Sequence, residues 1–173
     1  MEKELLISYK DIQSRIKKLA KQISSDYADN EPVFIGVLNG VIFFFADLIK
    51  ELTIPSKIDF IRASSYGPDT SSSGSINITK DVEISIQGKP VIVVEDIVDT
   101  GLTLTKITDM LWERDPESIR ICTLIDKMER REKVISIDYY GFRIDKGFLV
   151  GYGLDHDERY RYLKDIYTLS ASH

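Results

Sequence analysis

The chain has 173 residues, 43% hydrophobic and 29% charged, and its 23 basic and 28 acidic side chains give a net charge of −5. These values are typical of one globular domain and exclude a disordered, collagen-like or coiled-coil protein. One cysteine and two histidines exclude an internal disulfide and leave too few ligands for a typical structural zinc site.

The charge and hydropathy patterns also limit the cellular locations and the classes of binding partner to be expected. An acidic chain argues against non-specific nucleic-acid binding. The longest apolar run, residues 41–46, is too short to span a bilayer, and the N-terminus lacks the basic start of a signal peptide. We therefore expect a cytoplasmic protein with one domain over residues 1–173 and no nucleic-acid or membrane partner.

The N-terminal part predicts helices around one buried strand. Ser8 precedes apolar residues spaced three and four apart up to Ile23, which indicates an amphipathic helix with Ser8 as its N-cap. The continuous apolar run Val33–Leu38 predicts a strand buried on both faces. A second helix is expected over residues 41–52, and a strand over residues 58–63.

The middle of the chain begins with a polar stretch. Residues 64–75 contain one aromatic and no aliphatic side chain, so they cannot contribute to a core and predict a flexible lid loop. Isoleucines in period two at 76–78 and 84–86 indicate an antiparallel pair of strands beside the main sheet.

The C-terminal half predicts one more helix and several strands. The apolar run 91–94 is the clearest buried strand, and Leu104, Ile107 and Leu111 mark the helix that follows it. Further strands are expected at 119–125, 139–144 and 148–152, and the basic stretch 127–133 is expected to be a solvated connection.

The alternation of strands and helices indicates an α/β fold. Short connections predict right-handed crossovers and a mainly parallel sheet covered on both faces. Binding sites in such sheets lie at the carboxyl ends of the strands. The residues just after Leu38, Val94 and Ile125 are therefore expected to converge.

Acidic and hydroxyl side chains follow the strand at 91–94. They form the string Glu95-Asp96-Ile97-Val98-Asp99-Thr100-Gly101-Leu102-Thr103. The amides and dipole of a helix N-terminus favour an anion, and Thr100 and Thr103 add hydroxyl donors. Carboxylates beside a phosphate repel it unless they meet sugar hydroxyls, a proton or a metal ion. The string therefore predicts a sugar-phosphate site. Taken alone, the Glu-Asp pair could be an ordinary strand end, and Thr-Gly before a helix could be an ordinary cap.

The full string resembles the phosphoribosyl-pyrophosphate-binding signature of type I phosphoribosyltransferases. From Val33 to about Tyr162, the chain is similar in motif order and spacing to their 6-oxopurine branch. The resemblance implies a type I phosphoribosyltransferase fold, a mainly parallel β-sheet flanked by helices, with a small hood region and a flexible lid loop.

The resemblance also implies a reaction. The 5-phosphoribosyl group would move from phosphoribosyl pyrophosphate to N9 of hypoxanthine or guanine, with Mg²⁺ as cofactor and pyrophosphate as the second product. The family's usual assembly implies a homodimer or homotetramer. The choice among hypoxanthine, guanine and xanthine stays open.

The resemblance assigns roles to individual residues. It implies that Asp99 is the catalytic residue at purine N7 and that Glu95, Asp96 and Asp155 face magnesium. The implied donor-binding residues are Asn39, Gly40, Ser65, Tyr66, Glu95, Asp96, Thr100, Gly101, Leu102, Thr103 and Arg161. The implied purine-binding residues are Lys127, Phe148 and Leu149.

The chain departs from the family's pattern at two places. Asn39 stands where relatives often have lysine, and Asp145-Lys146-Gly147 replaces the usual residues of the turn before Phe148. His156 and His173 match no functional position and receive no role.

Two other classes of protein stay open at this point. A regulator on the same fold could sense phosphoribosyl pyrophosphate without catalysis, but the net charge and the purine-binding set oppose it. A phospho-receiver domain also has acids at strand ends and a lysine after a later strand. It would be shorter, and it would not explain the Thr-Gly-Leu-Thr segment or the long polar loop.

Overall fold

The computed structural model describes residues 2–65 and 76–170. The predicted role of Tyr66, and most of the lid predicted at 64–75, lie outside these residues. The elements are β1 (Glu2–Ile7), α1 (Tyr9–Asp26), β2 (Val33–Leu38), α2 (Ile42–Glu51), β3 (Lys57–Ser65), β4 (Ile76–Lys80), β5 (Pro90–Val98), α3 (Leu102–Trp112), β6 (Ser118–Lys127), β7 (Tyr139–Ile144), β8 (Phe148–Val150) and β9 (Ile166–Ser170).

The main sheet has six strands in the order β4-β3-β2-β5-β6-β7. The pairs β3-β2, β2-β5, β5-β6 and β6-β7 are parallel, and only β4 runs antiparallel to its neighbour. This arrangement confirms the predicted mainly parallel sheet. The reversal of strand order on either side of β2 and β5 creates the crevice in which α/β proteins bind ligands.

Both faces of the sheet are buried. Phe34, Ile92 and Val94 pack with α1 and α2 on one face. Their strand neighbours Ile35 and Val93 pack with α3 on the opposite face. Because successive side chains of a strand alternate between faces, a central strand buried on both sides is apolar throughout.

Helix α1 follows the periodicity of its sequence. The Ser8 hydroxyl accepts a hydrogen bond from the Asp11 N–H at 3.2 Å, which satisfies one of the free amides of the first turn. Ile12, Ile16 and Ile23 are fully buried. The predicted helix and its N-cap are confirmed.

A smaller antiparallel sheet of three strands, β1-β9-β8, forms the hood. Strand β8 ends at Val150, earlier than the predicted residue 152. Strands β1 and β9 were not predicted. All of β1 except Ile7 is exposed, so it has no alternation to reveal it, and its partner β9 lies at the other end of the chain.

The segment 81–86 corrects one prediction, because it does not form a strand. Its backbone is held by the buried Asp59 carboxylate, which accepts hydrogen bonds from the N–H groups of Glu83 at 2.7 Å and Ile84 at 3.0 Å. Val82 and Ile86 are buried against the α3 face. The alternation of its isoleucines therefore reflects burial without strand pairing.

The basic stretch 127–133 corrects a second prediction, because it is only partly solvated. Lys127 is 6% exposed, and the Arg131 side chain is 13% exposed. Within the described residues, no helix combines the length and apolar character needed to cross a membrane.

Candidate active site

A cavity of about 540 Å³ opens at the carboxyl ends of β2 and β5. It brings together the predicted catalytic Asp99 and most of the predicted donor-binding and metal-facing residues, namely Asn39, Gly40, Glu95, Asp96, Thr100, Gly101, Thr103, Asp155 and Arg161. Leu102, Lys127, Phe148 and Leu149 lie outside its lining. Ser64 lines it at the end of β3, next to the predicted Ser65.

The loop after β2 forms one wall of the cavity through its backbone. The peptide bond between Leu38 and Asn39 is cis. A Cβ atom on Gly40 would lie 1.9 Å from Asp96 Oδ2, and one on Gly153 would lie 2.0 Å from the Gly40 carbonyl oxygen. Only glycines permit these approaches. The β2 loop therefore meets the backbone of the hood loop (residues 151–165, between β8 and β9) and the Asp96 side chain at the end of β5.

Glu95 and Asp96 form a pair of adjacent carboxylates at the end of β5. Loss of hydration raises the pKa of Glu95 well above its usual range, and the negative charge of Asp96 adds to the effect. Loss of hydration also raises the pKa of Asp96, while the positive charge of Arg161 acts in the opposite direction. Two carboxylates this close favour a proton or a cation between them.

The turn between β5 and α3 has the form of an anion cradle. Gly101 is the N-cap of α3 at φ 81°, a left-handed conformation that glycine adopts without strain. The Thr100 hydroxyl accepts a hydrogen bond from the Leu102 N–H at 3.3 Å. Thr100, Gly101 and Thr103 face the cavity, where the first turn of a helix presents unpaired amides. The Leu102 side chain does not line the cavity, and its N–H is the group whose hydrogen bond Thr100 accepts.

Asp99, which lines the cavity, pairs with Lys127, which lies outside its lining. Lys127 Nζ lies 3.8 Å from Asp99 Oδ2 and 3.3 Å from Glu129 Oε2. Among the described residues, the other Asp99 oxygen, Oδ1, is buried and accepts no hydrogen bond. A buried carboxylate oxygen without a donor is rare in folded proteins, which makes Oδ1 a candidate acceptor for a group that the chain itself does not supply.

Phe148 and Leu149 of β8 lie on the hood side of Lys127. Glu129 links the two regions, because its Oε2 atom also accepts a hydrogen bond from the Gly147 N–H at 3.2 Å. Phe148 is 49% exposed, so part of its ring is accessible to a ligand, whereas Leu149 is buried.

Sequence reasoning missed three residues that support this site. His156 packs edge-to-face against Phe148, with ring centroids 5.1 Å apart and an interplanar angle of 82°. Glu129 and Arg131 bind the elements that carry Lys127 and Asp99. No local signal distinguishes these side chains. The contacts of Glu129 with Lys127 and of Arg131 with Asp126 lie within an irregular loop that has no periodicity, and the other partners are distant in sequence or are backbone groups.

Arg161 joins the hood loop to the cavity. It donates a hydrogen bond to the Gly153 carbonyl oxygen at 2.7 Å and pairs with Asp155 Oδ1 at 3.1 Å. It also pairs with Glu158 at 3.2 Å. Its side chain remains 23% exposed, so it keeps a face toward the cavity.

The carboxylates do not gather into a metal site made of protein groups alone. Across the described residues, no three histidine, cysteine, aspartate or glutamate side chains cluster closely enough to hold a metal ion. The raised pKa values of Glu95 and Asp96 nevertheless fit a pair that a cation would stabilise. Magnesium commonly binds through one or two carboxylates and completes its shell with water and substrate phosphates.

Comparison with known proteins connects this geometry to a family. A model of the phosphoribosyl transferase domain matches residues 8–157. The chain belongs to the phosphoribosyltransferase family. The predicted family, fold class and enzymatic nature are therefore confirmed.

Individual relatives cover almost the whole of this phosphoribosyltransferase. It is 43% identical over 169 residues to the hypoxanthine-guanine phosphoribosyltransferase of Bacillus subtilis, covering 98% of this chain and 94% of that protein. It is 44% identical over 162 residues to the hypoxanthine phosphoribosyltransferase of Salmonella typhimurium, with coverages of 92% and 91%. A crystal structure of a hypoxanthine-guanine phosphoribosyltransferase from Bacillus anthracis, with HEPES in its active site, aligns with a TM-score of 0.93 at 44% identity, covering 98% of this chain and 100% of that one.

Proposed function

We propose that this phosphoribosyltransferase moves the 5-phosphoribosyl group from phosphoribosyl pyrophosphate to N9 of hypoxanthine or guanine. The bond between C1 of the ribose and the pyrophosphate oxygen breaks, and a bond from C1 to purine N9 forms. Asp99 accepts the proton that the base loses at N7. The products are IMP or GMP and pyrophosphate, which makes the enzyme part of purine salvage.

The observation that carries this proposal is the pairing of Asp99 with Lys127. An ammonium group donates hydrogen bonds and accepts none, so Lys127 suits the 6-oxo group of a purine and would not suit the 6-amino group of adenine. The buried Asp99 Oδ1 has no donor among the described residues and would accept one from N7. Their separation of 3.8 Å lets one base meet both groups.

The rest of the purine site comes from the hood. The exposed part of the Phe148 ring would stack on the base, and the T-shaped contact with His156 would hold the ring in place. The Leu149 backbone would contact the base at its 2-position. That position distinguishes hypoxanthine, guanine and xanthine, so these backbone groups would set the choice among them.

The donor would extend from the α3 cradle to the β2 loop. Thr100, Gly101, Leu102 and Thr103 would bind the 5′-phosphate through hydroxyl and amide donors. Glu95 and Asp96 would receive the ribose hydroxyls. Arg161 and the backbone of Asn39 and Gly40 would bind the pyrophosphate, and Ser65 and Tyr66 would cover it during reaction.

Magnesium fits this site as a cofactor. Glu95, Asp96 and Asp155 would hold it together with ligand oxygens and water, which is the coordination that the ion prefers. When bound, it neutralises charge on the pyrophosphate that leaves. Glu95 and Asp96 fix the ribose while Arg161 stabilises the departing anion.

We also propose a cytoplasmic location and a homodimer or homotetramer. The alternative function is a sensor that binds the donor without turning it over. The Asp99–Lys127 pair favours the enzyme, because a sensor of the donor alone does not need a purine-binding acid and base.

A spectrophotometric assay tests the proposed function. Wild-type protein is mixed with Mg²⁺, phosphoribosyl pyrophosphate and, separately, hypoxanthine, guanine, xanthine or adenine. We expect turnover of hypoxanthine or guanine, none of adenine, and loss of all turnover with EDTA. Binding of the donor without reaction of any base would replace the enzyme by the sensor.

A further inference from the structure

Arg131 is a largely buried arginine whose side chain binds two strand ends at once. Its Nε donates to the Asp99 carbonyl oxygen at 2.8 Å, and its Nη2 lies 3.0 Å from the Val98 carbonyl oxygen. On the neighbouring strand end, Nη2 lies 2.6 Å from Asp126 Oδ1 and 3.1 Å from the Lys127 carbonyl oxygen. One guanidinium group therefore contacts the backbone of both Asp99 and Lys127.

The charge of this group is compensated where it is buried. The Asp126 carboxylate is 5% exposed and pairs with Arg131, so the two charges leave water together. Charge-assisted hydrogen bonds of this kind are shorter and stronger than neutral ones. The planar guanidinium fixes the directions of its donors, which gives the contact a defined geometry.

A second set of contacts holds the same turn without the Arg131 side chain. The N–H groups of Glu132 and Lys133 donate to the Thr100 carbonyl oxygen at 3.0 and 3.1 Å. The anion cradle that begins at Thr100 therefore has a support of its own. The side chain of Arg131 binds the residues that precede Thr100 in the chain, namely Val98 and Asp99.

We propose that Arg131 is a positioning residue for purine transfer, which sets the separation of the Asp99 carboxylate from the Lys127 ammonium group. This inference rests on the proposed function, because it assigns Arg131 to the purine end of the same site. β5 and β6 are parallel neighbours, and their ladder pairs Val98 with Asp126. Asp99 lies just beyond the last paired residue of β5, so the guanidinium extends the contact between the strands past their backbone pairing.

The chemistry makes this separation important. A base held by Lys127 at its 6-oxo group must present N7 to Asp99 and N9 to the ribose simultaneously. A displacement of about 1 Å in such an arrangement lowers a rate about 10²-fold. The donor, by contrast, would be held mainly by the cradle and the hood loop. Arg131 donates no hydrogen bond to either of them, and its side chain only packs beside Gly101.

Two substitutions of Arg131 test the proposal. Arg131→Ala removes all four contacts, and Arg131→Lys keeps the charge beside Asp126 but lacks the planar fork. For both variants we expect kcat with the preferred purine to fall, by about 10²-fold for alanine. We expect KM for phosphoribosyl pyrophosphate to change by no more than about threefold, since ground-state binding of the donor is kept.

Arg143→Ala is the matched control. Arg143 pairs with the other oxygen of Asp126, at 3.3 Å, but its side chain is 61% exposed and has no contact with the β5 end among its hydrogen bonds. This variant loses the same charge and an ion pair with the same partner. We expect it to keep kcat within about twofold of wild type, as is usual for a surface pair.

Thermal unfolding of each variant separates positioning from folding. The proposal requires that Arg131→Lys stays folded at the assay temperature while its kcat falls and its donor KM holds. It is overturned if Arg131→Lys turns over like wild type, if activity falls only in proportion to the folded fraction, or if Arg143→Ala loses as much as Arg131→Ala. If Arg131→Ala does not fold, Arg131→Lys decides. Wild-type protein that reacts with no base would overturn the proposed function instead.

Discussion

The two carboxylate oxygens of Asp99 have different surroundings. Its Oδ2 atom lies within 3.8 Å of Lys127 Nζ and 3.7 Å of an Arg130 nitrogen. Its Oδ1 atom is buried without a donor among the described residues. The first oxygen is held in place by charge, and the second is the atom that we propose as the acceptor of the proton from a bound base.

Asp99→Asn tests the proton-accepting role at the scale of one residue. The amide has nearly the same shape but cannot accept the proton, so we expect kcat to fall about 10²- to 10⁴-fold. The melting temperature should change little, because the amide keeps the shape of the side chain and Lys127 keeps Glu129 as an ion-pair partner at 3.3 Å. Steady-state kinetics with the preferred purine, together with thermal unfolding, measures both effects. Retention of the wild-type kcat would remove Asp99 from this role.

Lys127→Ala tests the recognition of the 6-oxo group. The substitution removes a charged donor from the base, so we expect KM for the purine to rise about tenfold or more. KM for phosphoribosyl pyrophosphate should change much less, because Lys127 lies outside the lining of the donor cavity. Separate titrations of the two substrates measure the difference. Equal changes in both values would show that Lys127 supports the structure of the site generally.

At the scale of elements, the buried carboxylate of Asp59 makes the hydrogen bonds that strand pairing would otherwise supply to segment 81–86. Asp59 of β3 binds the backbone of segment 81–86 and also pairs with Lys80 at 3.3 Å. Burial by itself would raise the pKa of Asp59, but the N–H groups of Ile84, Phe60 and Glu83 outweigh it and lower that pKa below its usual value. The segment is thus attached to the sheet through an ionised side chain.

Asp59→Asn should destabilise the protein in a manner that depends on pH. At pH 7 we expect a loss of about 1–3 kcal/mol in the free energy of unfolding, since the amide lacks the charge that its donors face. The folded-state pKa lies below the unfolded value of about 3.9, so the carboxylate's contribution is fully present above that value. It is lost as pH falls through the folded pKa, and the deficit of the variant should shrink below about pH 4.

Urea unfolding of wild type and variant between pH 7 and pH 3 measures this dependence. Asp29→Asn serves as the control, because Asp29 is exposed and should change stability by no more than about 0.5 kcal/mol. A deficit of Asp59→Asn that stayed constant across the whole range would contradict the role of the ionised form.

At the scale of the whole molecule, the cavity unites three distant parts of the chain. The β2 loop, the β5 end and the hood loop meet where Gly40 approaches both Asp96 and Gly153. A ligand that contacts all three parts binds only the folded protein, and such binding raises stability by mass action.

Donor binding should therefore raise the melting temperature in the presence of magnesium. At about 100 times Kd the gain is about 2.7 kcal/mol, which corresponds to about 5–10 °C for a domain of this size. We expect EDTA to remove most of this shift, because Glu95 and Asp96 repel the pyrophosphate without a cation between them. Ribose 5-phosphate, which lacks the pyrophosphate, is the control and should show a smaller shift. An unchanged shift in EDTA would contradict the proposed magnesium site.

The features that could be predicted from the sequence are those that depend on residues close together in the chain. The apolar runs of β2 and β5 and the periodicity of α1 depend on neighbours within a few residues, so the parallel sheet and its main helices could be read directly. The string from Glu95 to Thr103 also determined the family, because it is a local motif with an unusual combination of acids and hydroxyls. Its position at a strand end then placed the site.

Tertiary structure decided the remaining features, because their partners are distant in the chain. Strand β1 at one end of the chain pairs with β9 at the other end. The residues of β1 before Ile7 are all exposed, so they show no alternation of buried and exposed side chains. Arg131 looked like one basic residue among several, yet it binds the backbone of two strand ends. His156 gained its contact with Phe148 only through the fold of the hood loop. Burial and pairing over long separations are cooperative properties of the folded chain, so no local pattern encodes them.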